Sequence, residues 1–235
     1  MKVALLISGL ARKVEEGYKT TWGHVIDNYD TDVYLHAWKD EEWEKVSQFY
    51  PNAKSINIQE PFKFTKYKEG IKLPHNDTSR PLPQYDVMSC FRQFPMVYSW
   101  QNVYQQMYDT QIEYDIVIRS RYDLGILQPL ILENLDPTLV NHTAAGNFLD
   151  DNLCITNQEN AEKLYWGVFY KLINYSKEKG YLGSAEESWT EIVKRADLYQ
   201  HSQKHLALQF ELLRDNWLWW GDQAGNIISE KVISK

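Results

Sequence analysis

In "YDIVIRSRYDLGI", Tyr114 to Ile126, a short apolar run leads straight into Arg119, Arg121 and Asp123, so that three charges crowd five positions. If the chain stays extended through them, the three alternate and share one side. A carboxylate so placed can hold a divalent cation, and the cation can bridge two phosphate oxygens. An arginine can grip the same phosphates through paired hydrogen bonds. That combination suits a nucleoside diphosphate. The same spacing also serves an internal Arg–Asp salt bridge at a strand end, and spacing alone leaves both readings open.

The elements that must position these charges are visible in the periodicity. "KVALLIS", Lys2 to Ser8, is an unbroken apolar run closed by Gly9, as expected of a parallel strand buried on both faces. A helix follows through Val14 to Tyr29, then strands over Thr31 to Trp38 and Lys54 to Glu60. Met88, Phe91, Val97, Trp100, Val103, Tyr104 and Met107 space a helix from about Val87 to Tyr108, with Pro95 a kink or a late start. That helix feeds the strand Ile116 to Arg119. A strand over Asn152 to Thr156, one long helix closed by Gly180, and a helix opened by Ser184 with Glu187 at capping-box spacing come next. The segment "LALQFELLRDNWLWWGD" reads as a final strand. The order predicts an α/β fold with a mostly parallel central sheet flanked by helices, in one domain covering residues 1–235. Residues Pro61 to Tyr85 form a polar, proline-rich loop, long enough to cover a ligand.

Composition narrows the class. An apolar fraction of 43% over 235 residues describes a packed protein, and a net charge of −7 excludes a general nucleic-acid surface. The 9 Trp and 16 Tyr serve a core, but flat amphipathic rings also stack on sugars. Cys90 and Cys154 are too few for a disulfide framework and read as buried thiols. The N-terminal apolar run lacks a cleavage site, and no run approaches the ~20 apolar residues of a membrane span. The expectation is a soluble, cytoplasmic protein, the host cytoplasm if viral, in which the sequons at Asn76, Asn141 and Asn174 carry no weight.

Four segments, "ALLISGLAR", "DVYLHAW", "YDIVIRSRYDL" and "DDNLCITNQENAEKLY", stand in the order found in a family. In this the chain resembles capsule- and surface-polysaccharide glycosyltransferases of bacteria and large viruses, from about residue 2 to residue 195. The resemblance implies a GT-A fold, a nucleotide-sugar donor such as a UDP- or GDP-sugar, a glycan acceptor, and Mn²⁺ or Mg²⁺ held by an Asp-x-Asp motif. Here that motif reads Arg121-Tyr122-Asp123, with one carboxylate where two are usual, so Asp123 is the expected metal ligand.

The other matching segments gain roles on the same basis. Ser8, Gly9 and Arg12 follow the first strand, where the donor nucleotide would lie, and Arg119 and Arg121 would face its diphosphate. His36 and Trp38 read as packing residues near it. The family pattern sets an Asp directly before the "NLCIT" strand, which makes Asp151, beside Asp150, the expected catalytic carboxylate; an exposed strand-capping turn is the alternative. Glu187, beside Glu186 at a helix start, is the second catalytic candidate, and capping alone also explains it. Two further classes compete. A carbohydrate-binding protein without catalysis would use the aromatic residues but leaves the parallel-type strands unexplained. A nucleotide hydrolase or kinase would need a phosphate-cradling GxxxxGK[ST] segment, which the sequence lacks.

Overall fold

The first strand is apolar throughout because both its faces are covered. In β1 (Lys2–Leu10), Val3, Leu5 and Ile7 join the core on one side of the sheet, while Ala4 and Leu6 join the core on the other. The computed structural model describes residues 1–39, 42–67, 69, 71, 93–145, 148–204, 210–213, 219–221 and 227–230. Within them, β3 (Ser55–Gln59), β2 (Asp30–Trp38), β1 and β4 (Ile116–Ser120) lie side by side and parallel. Beyond β4 the sheet continues through β7 (Phe148–Thr156), β6 (Val140–Ala145) and β8 (Ser202–Lys204), making seven strands. β7 runs antiparallel to both β4 and β6, and β8 runs parallel to β6.

Six α-helices flank this sheet among the described residues. α1 (Val14–Thr21), its π-helical continuation Trp22–Ile26, and α2 (Trp43–Phe49) bury Val14, Val25 and Val46 on one face. α3 (Gln93–Asp109), α4 (Gln158–Tyr165), α5 (Val168–Lys179) and α6 (Ala185–Arg195) build the core of the other. The architecture is therefore α/β, with a mixed, mostly parallel sheet. Two short antiparallel pairs complete it: β5 (Leu124–Ile126) with β9 (Phe210–Leu212), and β10 (Trp219–Gly221) with β11 (Ile227–Glu230).

Several boundaries differ from the sequence reading. The long helix through Gly180 is two helices, because Gly167 takes a left-handed φ of 65° and Trp166 is extended, while Gly180 closes the second at φ 77°. The strand expected from Asn152 starts four residues earlier, at Phe148, so Asp150 and Asp151 lie inside a strand and not ahead of it. The C-terminal apolar segment divides between β9 and β10, and its residues 206–209, 214–218 and 222 lie outside the described residues. So do Cys90, Asn76, Met88, Phe91 and the loop residues Pro74, Pro81 and Pro83. α3 carries Pro95 in its first described turn.

One topological feature sets up the site. The chain moves from β1 outward to β2 and β3, then returns to place β4 on the opposite side of β1. Strand order reverses there, and in open α/β sheets such a reversal opens a crevice at the strands' carboxyl ends. Pairing between β1 and β4 stops at Ile7↔Ser120, whereas β1 stays paired with β2 through Leu10↔Trp38. Ser8, Gly9 and Leu10 thus project past β4 with that side open.

Candidate functional site

On the β1 side of the crevice, Ser8 is buried and its hydroxyl has no hydrogen-bond partner among the described residues. Gly9 has a φ of 122°, which disfavours any residue with a side chain, yet a Cβ there would meet nothing within 4 Å. The backbone conformation, not a crowded neighbour, is what calls for glycine. Arg12 is exposed, and its amide donates to the Leu10 carbonyl at 2.9 Å. His36, the register partner of Ser8, is buried, and its Nε2 lies 3.0 Å from Gln59 Oε1. Burial pushes its pKa down, so the ring is neutral at physiological pH. Trp38 packs with Phe62, Phe64 and Tyr98.

Across the crevice, the two arginines part company. Strand alternation sends Arg119 the same way as Val117, into the layer under α3 and α6, where it is 1% exposed. Its guanidinium sits 4.4 Å from the Trp100 ring centre and 5.5 Å from that of Trp189, and donates to the Asp151 carbonyl. β4 ends at Ser120 and a turn follows at Tyr122 and Asp123, and the two arginines have different partners. Arg121 keeps 26% side-chain exposure and forks onto Asp123, Nε to Oδ1 at 2.5 Å and Nη2 to Oδ2 at 3.0 Å. Its remaining arm reaches Asn152 Oδ1 at 2.8 Å. Asn152 in turn donates to Asp150 Oδ1 at 2.6 Å, and Thr143 donates to the other Asp150 oxygen. A charged and polar chain therefore runs from the end of β4 across β7 to β6. It crosses a register shift between His142 and Ala144, a local irregularity of the kind that re-aims side chains beside functional sites.

Asp151 stands apart from that chain. It is 6% exposed, and burial, with Asp150 and Glu186 adding repulsion, pushes its pKa up to about 6 against the opposing pull of Arg121 and Arg119. The exposed capping turn considered for Asp150 and Asp151 is thus replaced by two buried strand carboxyls. On α6 it is Glu186, half-buried, whose charge reaches Asp151. Glu187, one residue on, is turned elsewhere: its amide donates to Ser184 Oγ at 3.1 Å, closing the expected cap, and its carboxylate accepts from Tyr181 at 3.2 Å.

A divalent cation at Asp123 would need free carboxylate oxygens. Both Asp123 oxygens are held by Arg121, both Asp150 oxygens by Thr143 and Asn152, and no group of three or more His, Cys, Asp or Glu able to hold a metal occurs among the described residues. As these side chains lie, Arg121 is the positive charge paired with Asp123.

Four contributors escaped the sequence reading. Asn152 links Arg121 to Asp150, and nothing in its spacing marks it. Trp100, read as a helix position, and Trp189 both pack against Arg119. Gly17 lies mid-helix in α1, where a Cβ would come within 2.0 Å of the Tyr122 carbonyl oxygen. That contact presses α1 against the turn carrying Asp123, and a glycine inside an amphipathic helix was its only signal.

No family model matches the chain, and no curated protein does. Among solved structures, the apo-form glycosyltransferase GlyE of Streptococcus pneumoniae TIGR4 is similar with a TM-score of 0.47 and 15% identity, over 88% of this chain and 46% of that one. A second structure of the glycosyltransferase GlyE gives 0.44 and 13% identity, over 87% and 44%. The chain spans less than half the length of these structures. No helix among the described residues is long and apolar enough to cross a membrane.

Proposed function

We propose that this chain is a GT-A-like glycosyltransferase that moves a sugar from a nucleotide-diphosphate-sugar, a UDP- or GDP-sugar, onto a glycan acceptor. The observation that carries the reading is the placement of Asp151, a buried carboxyl on β7, beside the Arg121–Asp123 pair that follows β4, the strand at which the order reverses; its pKa, raised to about 6 by burial, agrees with it. A base poised near neutral pH is what deprotonation of an acceptor hydroxyl requires. In the proposed reaction the acceptor oxygen bonds to the anomeric carbon, the bond from that carbon to the diphosphate breaks, and the acceptor proton passes to Asp151. Arg121 exchanges part of its hold on Asp123 for a phosphate oxygen and offsets the charge growing on the leaving diphosphate, with Arg12 at the opposite lip. Ser8 and Gly9, on the open edge of β1, receive the nucleoside. No step is routed through a metal ion.

The test is a donor screen: the protein is incubated with a panel of UDP- and GDP-sugars, with Mn²⁺ or with EDTA, and released nucleoside diphosphate is measured. The expected result is slow hydrolysis of one donor, changed less than threefold by EDTA. A loss of more than tenfold in EDTA would restore Asp123 as a metal ligand. Release from no donor, with thermal stabilisation by free glycans alone, would replace the enzyme with a carbohydrate-binding protein.

A further inference from the structure

Arg119 is a cation sealed in the interior. Burying a guanidinium is costly unless its charge and its five N–H donors are matched. Among the described residues Arg119 forms no ion pair with a carboxylate, and its Nε and Nη2 have no hydrogen-bond partner. The indoles of Trp100 and Trp189 offset part of the charge through their π faces. It donates to the backbone carbonyl of Asp151, and the Tyr165 hydroxyl and Cys154 thiol lie within its field. A residue that served only to fill this space would not need to be charged; a Met or Leu would pack against the same rings.

We propose that Arg119 is the positioning residue of Asp151: it fixes the Asp151 backbone through its carbonyl and holds a positive charge behind the carboxyl. Antiparallel pairing of β4 with β7, with Arg119 opposite Cys154, brings the side chain alongside that stretch of β7. The two indoles, in edge contact with each other at 5.4 Å, then pack against the guanidinium and keep it from turning to solvent. The charges facing Asp151 are Asp150 on its own strand, Glu186 from α6, and Arg121 and Arg119 from β4 and its end. Two acids oppose ionisation of Asp151 and two arginines favour it. Arg119 differs from Arg121 in having no competing carboxylate, so its charge is not shared with Asp123. The proposal deepens the reading of Asp151 as the proton acceptor, but its test does not need activity.

The test is a ¹³C NMR titration of the aspartate carboxyls in the full chain, with Asp151 assigned by its loss in Asp151→Asn. Arg119→Gln keeps an N–H for the carbonyl but removes the charge, and the Asp151 midpoint is expected to rise by roughly one pH unit, the scale of one close charge. Arg119→Lys keeps the charge and alters the hydrogen bond. Its midpoint is expected to stay near the wild-type value while the Asp151 carbonyl resonance moves. An unchanged midpoint in folded Arg119→Gln overturns the proposal. Should that variant not fold, Arg119→Lys decides alone, and an unmoved carbonyl resonance, or a midpoint raised as far as loss of the charge would raise it, overturns it. Failure of Asp151 as a base would show separately, as full donor turnover by Asp151→Asn.

Discussion

In β2, β1 and β4 the buried residues are apolar but for Ser8, His36, Arg119 and Ser120 in the carboxyl-terminal half, whereas β6 and β7 bury Asn141, His142, Thr143, Asp150 and Asp151 along their length. The parallel region is held together mainly by area removed from water on both faces, with few side-chain pairs such as His36–Gln59. The antiparallel region must satisfy each polar group: Asn141 Nδ2 bonds the carbonyls of Asp136 and Ile155, and Asp150 is held by Thr143 and Asn152. Buried polar strands are costly to fold, so a chain that keeps them does so for what they hold in place. In the proposed function the buried carboxyls belong to the antiparallel region and the parallel strands carry them, with β4 as the seam.

The change that separates the two most strongly is Asp151→Asn. Turnover of the donor found in the screen is expected to fall by about 10²–10⁴, the usual scale of a lost general base. Stability should move the other way. The folded carboxyl titrates at about 6 against an ordinary 3.8, so between those values the folded state holds the proton more tightly and stability falls as pH rises. Above pH 6 the charged, buried carboxyl costs the wild type about 3 kcal/mol, from roughly 1.4 kcal/mol per unit. Asparagine removes that cost. Urea unfolding should show the variant more stable at pH 8 and level with the wild type near pH 3.5; a variant that is less stable at pH 8 would mean that the carboxylate is a structural anchor.

Next in size is Gly17→Ala, which attacks the seam from the scaffold side. The new methyl meets backbone atoms of Tyr122, the oxygen at 2.0 Å and the carbon at 3.2 Å, so no side chain can rotate away. Overpacking of this kind costs about 1–3 kcal/mol. The turn that carries Asp123 must shift to relieve it, so donor turnover should fall as well as the urea midpoint. A loss of stability with turnover per folded molecule intact would show that α1 supports the sheet without setting the site.

How much of this the sequence disclosed follows the same division. The parallel strands were legible because an apolar run such as Val3 to Ile7 has few other fates, and β1 to β4 were found within a few residues. β7 was read short, from Asn152, because two aspartates look like a turn until the strand's partners are known. Gly167 was read through as helix because a single glycine does not announce its φ. Arg119 and Arg121 were set together by alternation, which holds only while the chain stays extended. Whether Asp123 meets an arginine or a cation depends on a bond two residues away that spacing permits but does not require.

The smallest expected effect concerns α6, which closes the polar region. Ser184→Ala removes the hydroxyl that accepts from the Glu187 amide and should lower stability by about 1 kcal/mol. Glu187→Gln keeps that amide and an oxygen for Tyr181, while removing charge from a residue that touches the cap and not Asp151. If Glu187 is a capping residue, the glutamine variant retains turnover within threefold, because the acid acting on Asp151 from this helix is its neighbour Glu186. Glu186→Gln, by contrast, removes a repulsion and should lower the Asp151 midpoint in the same ¹³C titration. A tenfold loss of turnover in Glu187→Gln with an unchanged Asp151 midpoint would place Glu187 in the chemistry and extend the catalytic region from β7 onto α6.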